Sequence, residues 1–193
     1  MLNEQILNCM YGRRAPDTLR GSIAGGSYDA VLEHHRAVVL LAEQRLFGSA
    51  FALIRPMLDG CLHGLWGIYL ADDSELERFN IGRLTCPDSE RTIKRLKSKD
   101  DGDMAVTLQR IHDEFWKPLS SYVHGGIEQV ARRNAVEFIG SNYTSEEVTE
   151  ILTVANAMAL LAIMEIASIS GDPTFINEIN HISSSFVGNQ CQY

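Results

Sequence analysis

The sequence predicts an all-α protein, a bundle of about five to seven helices around one central apolar helix. Two observations indicate this fold class. Apolar residues recur at intervals of three and four along most of the 193 residues, which is the period of a helix face. No stretch alternates apolar and polar residues between turn residues, as a half-buried strand would. With 45 % apolar residues, the chain can bury one core, so we expect a single domain over residues 1–193.

The first two predicted helices follow a glycine-rich stretch. We expect residues 1–26 to form a loosely structured arm, and Ser27 to cap a helix over residues 28–45. The second helix, over residues 50–71, is apolar nearly all round, which is typical of a helix enclosed by others. We therefore expect it to be the central helix, with Pro56 tolerated in its first turns.

Capping residues and helix breakers delimit the remaining helices. Asp72 or Asp73 is suited to cap a short helix ending near residue 83, and Thr144 begins an S/T-x-x-E capping box. We expect a bend at Pro118, a loop over residues 100–103 and a break at the Gly125-Gly126 pair. Further helices are expected over residues 87–99, 104–123, 127–134, 144–168 and 174–186, with a flexible tail over 187–193.

The segment over residues 152–169 is apolar enough to suggest a membrane span. Asn156 and Glu165 interrupt it, alanine is frequent, and aromatic or basic flanks are missing. These features favour a buried bundle helix, and we expect no membrane association.

Composition and cysteine spacing favour a cytoplasmic protein. No basic segment followed by an apolar run starts the sequence, so we expect no secretory signal. The cysteines are far apart and form no C-x-x-C pair, which favours reduced thiols. They are Cys9, Cys61, Cys86 and Cys191. Dinucleotide-binding and P-loop motifs are missing as well, so we expect no cofactor.

The formal net charge of −8 argues against strong non-specific DNA binding, which needs clustered basic residues. One basic cluster lies between Arg91 and Lys99 and is followed directly by aspartates. We interpret it as a solvated helix face, with a contact to nucleic acid or an acidic partner as the alternative.

Three polar residues on the central helix form the most informative pattern. Arg55, Asp59 and His63 lie four residues apart, so they share one face, with Trp66 beside them. Burying an unpaired charge costs several kcal/mol per ion. Two interpretations follow: an Arg55–Asp59 ion pair that fixes the helix register with His63 as a core histidine, or a polar pocket that binds a ligand.

A stripe of small residues lies on the other side of the central helix. Gly60, Gly64 and Gly67 would permit close approach of a second helix. The late helix offers a matching stripe of alanines at positions 155, 159 and 162. We expect close packing there, within the chain or between two copies of it.

The second polar pattern surrounds His124. His112, Trp116, Ser120 and His124 lie four apart on the helix over residues 104–123 and its end, so Ser120 and His124 are within reach of each other. A histidine titrates near neutral pH, and one beside a glycine hinge can act as a general acid or base. The alternative is a helix-end histidine that bonds a backbone carbonyl. Further candidate binding residues follow in the chain: Glu128, Arg132 and Arg133.

Metal binding is a weaker hypothesis. Asp59, His63 and His124, with Glu128 or Glu165, are residue types that bind metals between facing helices. However, none of these residues belongs to an E-x-x-H or H-E-x-x-H motif. We therefore assign no metal ligands.

Two segments carry a resemblance to a known class of proteins. The segment L-I-R-P-M-L-D over residues 53–59, running into G-L-W at 64–66, and L-S-S-Y-V-H-G-G over 119–126 resemble small bacterial helical proteins of the HEPN and abortive-infection type. The resemblance implies a dimeric bundle that cuts RNA without a metal, with His124 as the catalytic histidine. The HEPN signature has an arginine four to six residues before that histidine. Residues 118–120 are P-L-S here, so Arg55 or Arg132 would supply the charge.

Three functional hypotheses result. The first is a homodimeric HEPN-like ribonuclease, toxin-like or acting in phage defence, in which Arg55 binds phosphate and His124 transfers protons. The second is a non-catalytic homodimeric interaction module in which the same residues hold the bundle together. The third is a small-molecule sensor that uses the core pocket. The site residues assigned on this basis are Arg55 and His124 as catalytic, and Asp59, His63, Trp66, Ser120, Glu128, Arg132 and Arg133 as binding.

Overall fold

The computed structural model describes residues 2–13, 15–99, 103–133 and 140–190. These residues contain nine helices and no strand, which confirms the all-α bundle and exceeds the expected number of helices. In chain order the helices are α1 (Leu2–Met10), α2 (Leu19–Glu43), α3 (Phe47–Leu65), α4 (Asp73–Asn80), α5 (Ser89–Lys99), α6 (Asp103–Val123), α7 (Ile127–Ala131), α8 (Ser145–Ser170) and α9 (Pro173–Gln190).

The start of α2 differs from the prediction. The helix is capped by Thr18, whose side chain accepts a hydrogen bond of 3.0 Å from the backbone N–H of Gly21. Ser27 lies inside the helix, and its hydroxyl donates to the carbonyl of Ile23 at 2.8 Å. The arm expected over residues 1–26 therefore contains α1 and the beginning of α2. Glycine is favoured at position 21 because a Cβ there would lie 2.8 Å from the carbonyl oxygen of Pro16.

The central position of α3 is confirmed. This helix packs against α2, α5, α6 and α8, and its buried side chains lie in the main hydrophobic core. It begins after Arg45, whose left-handed φ of 58° interrupts the helical path between α2 and α3. After Leu65 it continues as one π-helical segment, Trp66–Leu70. Pro56 lies within α3, as expected.

The glycine stripe of α3 packs against α2, and not against the alanines of α8. A Cβ at Gly60 would lie 2.6 Å from Val31, and one at Gly64 would lie 2.4 Å from the ring of Tyr28. Both partners are buried side chains of α2. The stripe is therefore occupied by a helix of the same chain. The alanines 155, 159 and 162 are buried separately in the core.

Several predicted ends of the later helices agree with the structure, but α4 ends at Asn80, before the predicted end near residue 83, and α7 ends at Ala131, before the predicted end at 134. Capping boxes are present at Asp72 before α4 and at Thr144 before α8. Gly125 and Gly171, which follow α6 and α8, have φ values of 63° and 65°. Of the loop expected over residues 100–103, residues 100–102 lie outside the described residues, and Asp103 is the first residue of α6. Helix α9 continues to Gln190, four residues beyond the predicted end at 186, and residues 191–193 are not described.

By length and composition, α8 is the one described helix that could span a membrane. Its mean hydropathy over the most apolar window is 1.9, and 56 % of that window is buried inside the bundle. The core helices of soluble proteins meet the same criteria, so this finding is weak evidence for a membrane segment. Cys9, Cys61 and Cys86 are free thiols, and Cys191 lies outside the described residues.

Candidate functional site

The guanidinium of Arg55 is held from three sides. Its Nε donates to Oδ2 of Asp59 at 3.1 Å, which confirms the predicted ion pair within α3. One Nη atom donates to Oγ of Ser120 on α6. The guanidinium carbon lies 3.2 Å from the centre of the Trp116 ring, a cation–π contact. These four residues, Arg55, Asp59, Trp116 and Ser120, are called the Arg55 cluster below.

Ser120 is oriented to serve as an acceptor. Its hydroxyl donates to the carbonyl oxygen of Trp116 at 2.7 Å, so its lone pairs point away from the helix axis of α6 and toward Arg55. The Arg55 side chain is 20 % exposed and that of Asp59 is 37 % exposed. The cluster therefore lies at the edge of the bundle, where solvent can reach the guanidinium.

The Trp116 side of the Arg55 cluster is connected to the start of α5 through His112. The ring of His112 lies 4.6 Å from that of Trp116, and its Nε2 is 3.1 Å from the hydroxyl of Ser89 at the start of α5. Of these, Trp116 and His112 follow the four-residue stripe that the sequence shows. Ser89 carries no such signal, because its partner lies in another helix.

His63 and Trp66, which were expected beside Arg55, have different surroundings. His63 is half-buried, and burial lowers its pKa while the nearby Asp59 carboxylate acts in the opposite sense. Trp66 is fully buried in a smaller hydrophobic cluster, where its ring lies 5.4 Å from that of Phe79. A ligand approaching from solvent would therefore meet His63 and not Trp66.

Cys86 lies in the same part of the bundle as Trp66. The thiol packs against the cluster around Trp66. Burial, and then the Asp59 carboxylate, raise the pKa of Cys86 to about 12. Since only the thiolate is reactive, this raised pKa disfavours a nucleophilic role for Cys86 at neutral pH.

His124 lies at the exposed end of α6. Its backbone N–H donates to the carbonyl of Ser120 at 3.1 Å, so the residue continues the helical path for one turn beyond the Arg55 cluster. One turn is about 5.4 Å along the axis. The His124 side chain is exposed to solvent, as is Glu128, whose backbone N–H donates to Oγ of Ser121 at 3.1 Å.

The two arginines after α7 lie in separate places. Arg132 forms a two-pronged ion pair with Glu147 at the start of α8, with one contact of 3.1 Å. The Arg133 guanidinium lies against Gly48 at the start of α3, 2.7 Å from where a Cβ would be. Arg132 is therefore paired with Glu147. Of the two arginines considered as the source of positive charge near His124, Arg55 is the one that contacts Ser120.

The metal hypothesis gains no support. The five residues considered as ligands, Asp59, His63, His124, Glu128 and Glu165, all lie within the described ranges. In those ranges no three His, Cys, Asp or Glu side chains are close enough to share a metal ion. Glu165 instead accepts a hydrogen bond of 2.9 Å from the hydroxyl of Tyr69.

Fold and site together define a class of protein: an all-α bundle in which an arginine of one core helix contacts a serine of another, with an exposed histidine one turn after that serine. Residues 28–191 match a protein family of unknown function, DUF6988, and the chain belongs to that family. No curated protein and no solved structure shows a significant match to the chain.

Proposed function

We propose that this protein is a metal-independent ribonuclease in which Arg55 binds the scissile phosphate and His124 transfers protons. One observation carries the proposal: the contact between Arg55 and Ser120 joins the two segments that resemble HEPN-type proteins. His124 lies one helical turn after Ser120, the residue whose hydroxyl accepts from Arg55.

The geometry of Arg55 suits an anion. Asp59 and Ser120 engage Nε and Nη1, and among the described residues no acceptor is found for Nη2. An arginine whose plane is already fixed loses less side-chain entropy when it binds a phosphate oxygen. Such a pre-oriented donor would also stabilise the extra negative charge on phosphorus in the transition state.

The proposed reaction needs a base and an acid. The ribose 2′-oxygen attacks the adjacent phosphorus while a base takes its proton. The 5′-oxygen leaves and receives a proton from an acid, which yields a 2′,3′-cyclic phosphate and a 5′-hydroxyl. His124 can serve one of these roles, and His124 of a second copy would serve the other, so the proposal includes a homodimer. A cytoplasmic, toxin-like role in defence would be consistent with such an activity.

A non-catalytic interaction module is the second candidate function. It is favoured by the same contacts of Arg55, because Asp59, Ser120 and Trp116 already satisfy much of the guanidinium. In this case the cluster holds α3 against α6 and His124 performs no chemistry.

Incubation with a labelled single-stranded RNA in the presence of EDTA separates the two candidates. The wild-type protein is compared with His124→Ala and with His181→Ala, which removes another exposed histidine, from α9. We expect wild type and His181→Ala to cleave, and His124→Ala to lose about 100-fold in rate. The product should carry a 2′,3′-cyclic phosphate.

A second pair of variants tests the phosphate contact. Arg55→Gln should reduce cleavage strongly, whereas Arg110→Gln, at an exposed position of α6, should not. No cleavage by any form, or equal cleavage by wild type and His124→Ala, would refute the ribonuclease and favour the interaction module. Size measurement by light scattering would then show whether the module is a dimer.

A further inference from the structure

A pocket of about 500 Å³ lies between α1, α2, α8 and α9, away from the Arg55 cluster. Its wall is mostly apolar and includes Val39, Ala42, Leu152 and Phe186. Pockets of this size and lining are typical of small-molecule sites, in which a few polar groups fix the orientation of the ligand.

His35 is the buried polar group of this pocket. The residue is only 1 % exposed, and its Nε2 lies 2.8 Å from Oδ1 of Asn156 on α8. Because an amide oxygen can only accept, Nε2 carries the proton. Burial lowers the pKa of His35, with the Asn156 contact acting in the opposite sense. The ring is therefore neutral near pH 7, and its Nδ1 is a hydrogen-bond acceptor.

Nδ1 of His35 has no hydrogen-bond partner in the described part of the chain, and neither has Oδ1 of Asn3. Both residues line the same pocket. A buried acceptor without a donor destabilises the folded protein. Two such acceptors at one apolar pocket indicate that a donor arrives from outside the protein chain.

We propose that this pocket binds a small, largely apolar molecule carrying a hydroxyl or N–H group that donates a hydrogen bond to His35. An apolar body fits the aliphatic and aromatic wall, and the donor fits the two unmatched acceptors. A ligand whose polar end can only accept is disfavoured, because it would leave Nδ1 unsatisfied and place two acceptors together.

Indole and benzofuran are suitable probes because they share shape and size. Indole carries an N–H donor where benzofuran has an oxygen that can only accept. Titration calorimetry at pH 7.5 with the full chain should give binding of indole about tenfold tighter than that of benzofuran, the difference made by one hydrogen bond.

Two variants locate the binding. His35→Phe keeps the ring volume and removes the acceptor, so the tenfold preference for indole should disappear. Ala42→Phe fills the pocket and should abolish binding of both probes. Its matched control is Ala157→Phe, which adds the same group to the apolar groove between α6 and α8 and should leave the affinities unchanged.

If His35→Phe does not fold, the affinities of the two probes and the Ala42→Phe variant still decide the proposal. Equal affinity for the two probes, tighter binding of benzofuran, no binding of either, or binding that survives Ala42→Phe would each overturn the proposal. None of these results depends on RNA cleavage, since the pocket and the Arg55 cluster share no residue.

Discussion

Arg55 on α3 donates a hydrogen bond to Ser120 on α6, residues that are 65 positions apart in the chain. Trp116, one turn before Ser120, stacks on the same guanidinium. The orientation of this arginine is therefore set by a second helix as well as by Asp59 on its own helix. A surface ion pair within one helix contributes little to stability, so the contacts with α6 distinguish Arg55 from an ordinary surface residue.

Replacing Arg55 by lysine should lower the free energy of unfolding by about 1–2 kcal/mol, although the charge is kept. Lysine lacks both the planar group that stacks on Trp116 and the donors placed to reach Asp59 and Ser120 together. Urea denaturation measures the change. Arg110→Lys, at an exposed position of α6, is the control and should stay within about 0.5 kcal/mol of wild type. Equal, small effects would mean that the contacts with α6 contribute nothing.

The packing of α3 on α2 gives a prediction from two glycines. A Cβ added at Gly64 would lie 2.4 Å from the ring of Tyr28, which is fully buried and cannot move aside. Gly64→Ala should therefore destabilise the protein by about 1–3 kcal/mol. At Gly67 the nearest atom, a methyl of Ile23, would be at 3.6 Å, an ordinary contact. Gly67→Ala should be neutral or slightly stabilising in thermal denaturation, and a loss equal to that of Gly64→Ala would contradict this packing.

The start of α8 depends on Thr144. Its hydroxyl oxygen accepts from the N–H of Glu147 at 3.2 Å, and the Glu147 carboxylate accepts from the N–H of Thr144 at 2.9 Å. Thr144→Ala should cost about 1 kcal/mol, because one N-terminal N–H of the helix loses its acceptor. Thr149→Ala removes a hydroxyl that only bonds back to Ser145, so it should have little effect in the same denaturation assay. Similar losses in the two variants would mean that the cap is not formed.

Features encoded by neighbours in the sequence could be predicted. The capping boxes at Asp72 and Thr144 and the Arg55–Asp59 pair each involve residues three or four apart, and all three are present. The start of α2 was predicted wrongly, because glycines that usually break helices are used here for close packing on Pro16 and Ala15. Local propensity could not reveal that packing.

Contacts between distant segments could not be predicted. Ser120 was a candidate as a partner of His124, but its contact with Arg55 depends on how α6 packs on α3. His35 was not a candidate at all, since nothing near it in the sequence distinguishes it from other helix residues. Its partner, Asn156, is 121 positions away, and only the folded chain shows that the two meet at a pocket.

The buried state of His35 predicts a dependence of stability on pH. Burial lowers the pKa of His35 in the folded protein below the ordinary value of 6.5 that applies to the unfolded chain. At a pH between the lowered pKa and 6.5, the unfolded chain therefore binds more protons than the folded one. Stability then rises with pH: the contribution is fully present above about pH 6.5 and is lost as the pH falls below it. The loss should be at most about 1.4 kcal/mol per pH unit for this single proton.

In urea denaturation between pH 5 and 7.5, His35→Gln should flatten the dependence of the free energy of unfolding on pH, whereas His181→Gln, at an exposed position of α9, should leave its slope unchanged. A slope that His35→Gln does not alter would show that the imidazole is not held neutral by the fold. It would also remove the basis for treating Nδ1 as an acceptor in the pocket.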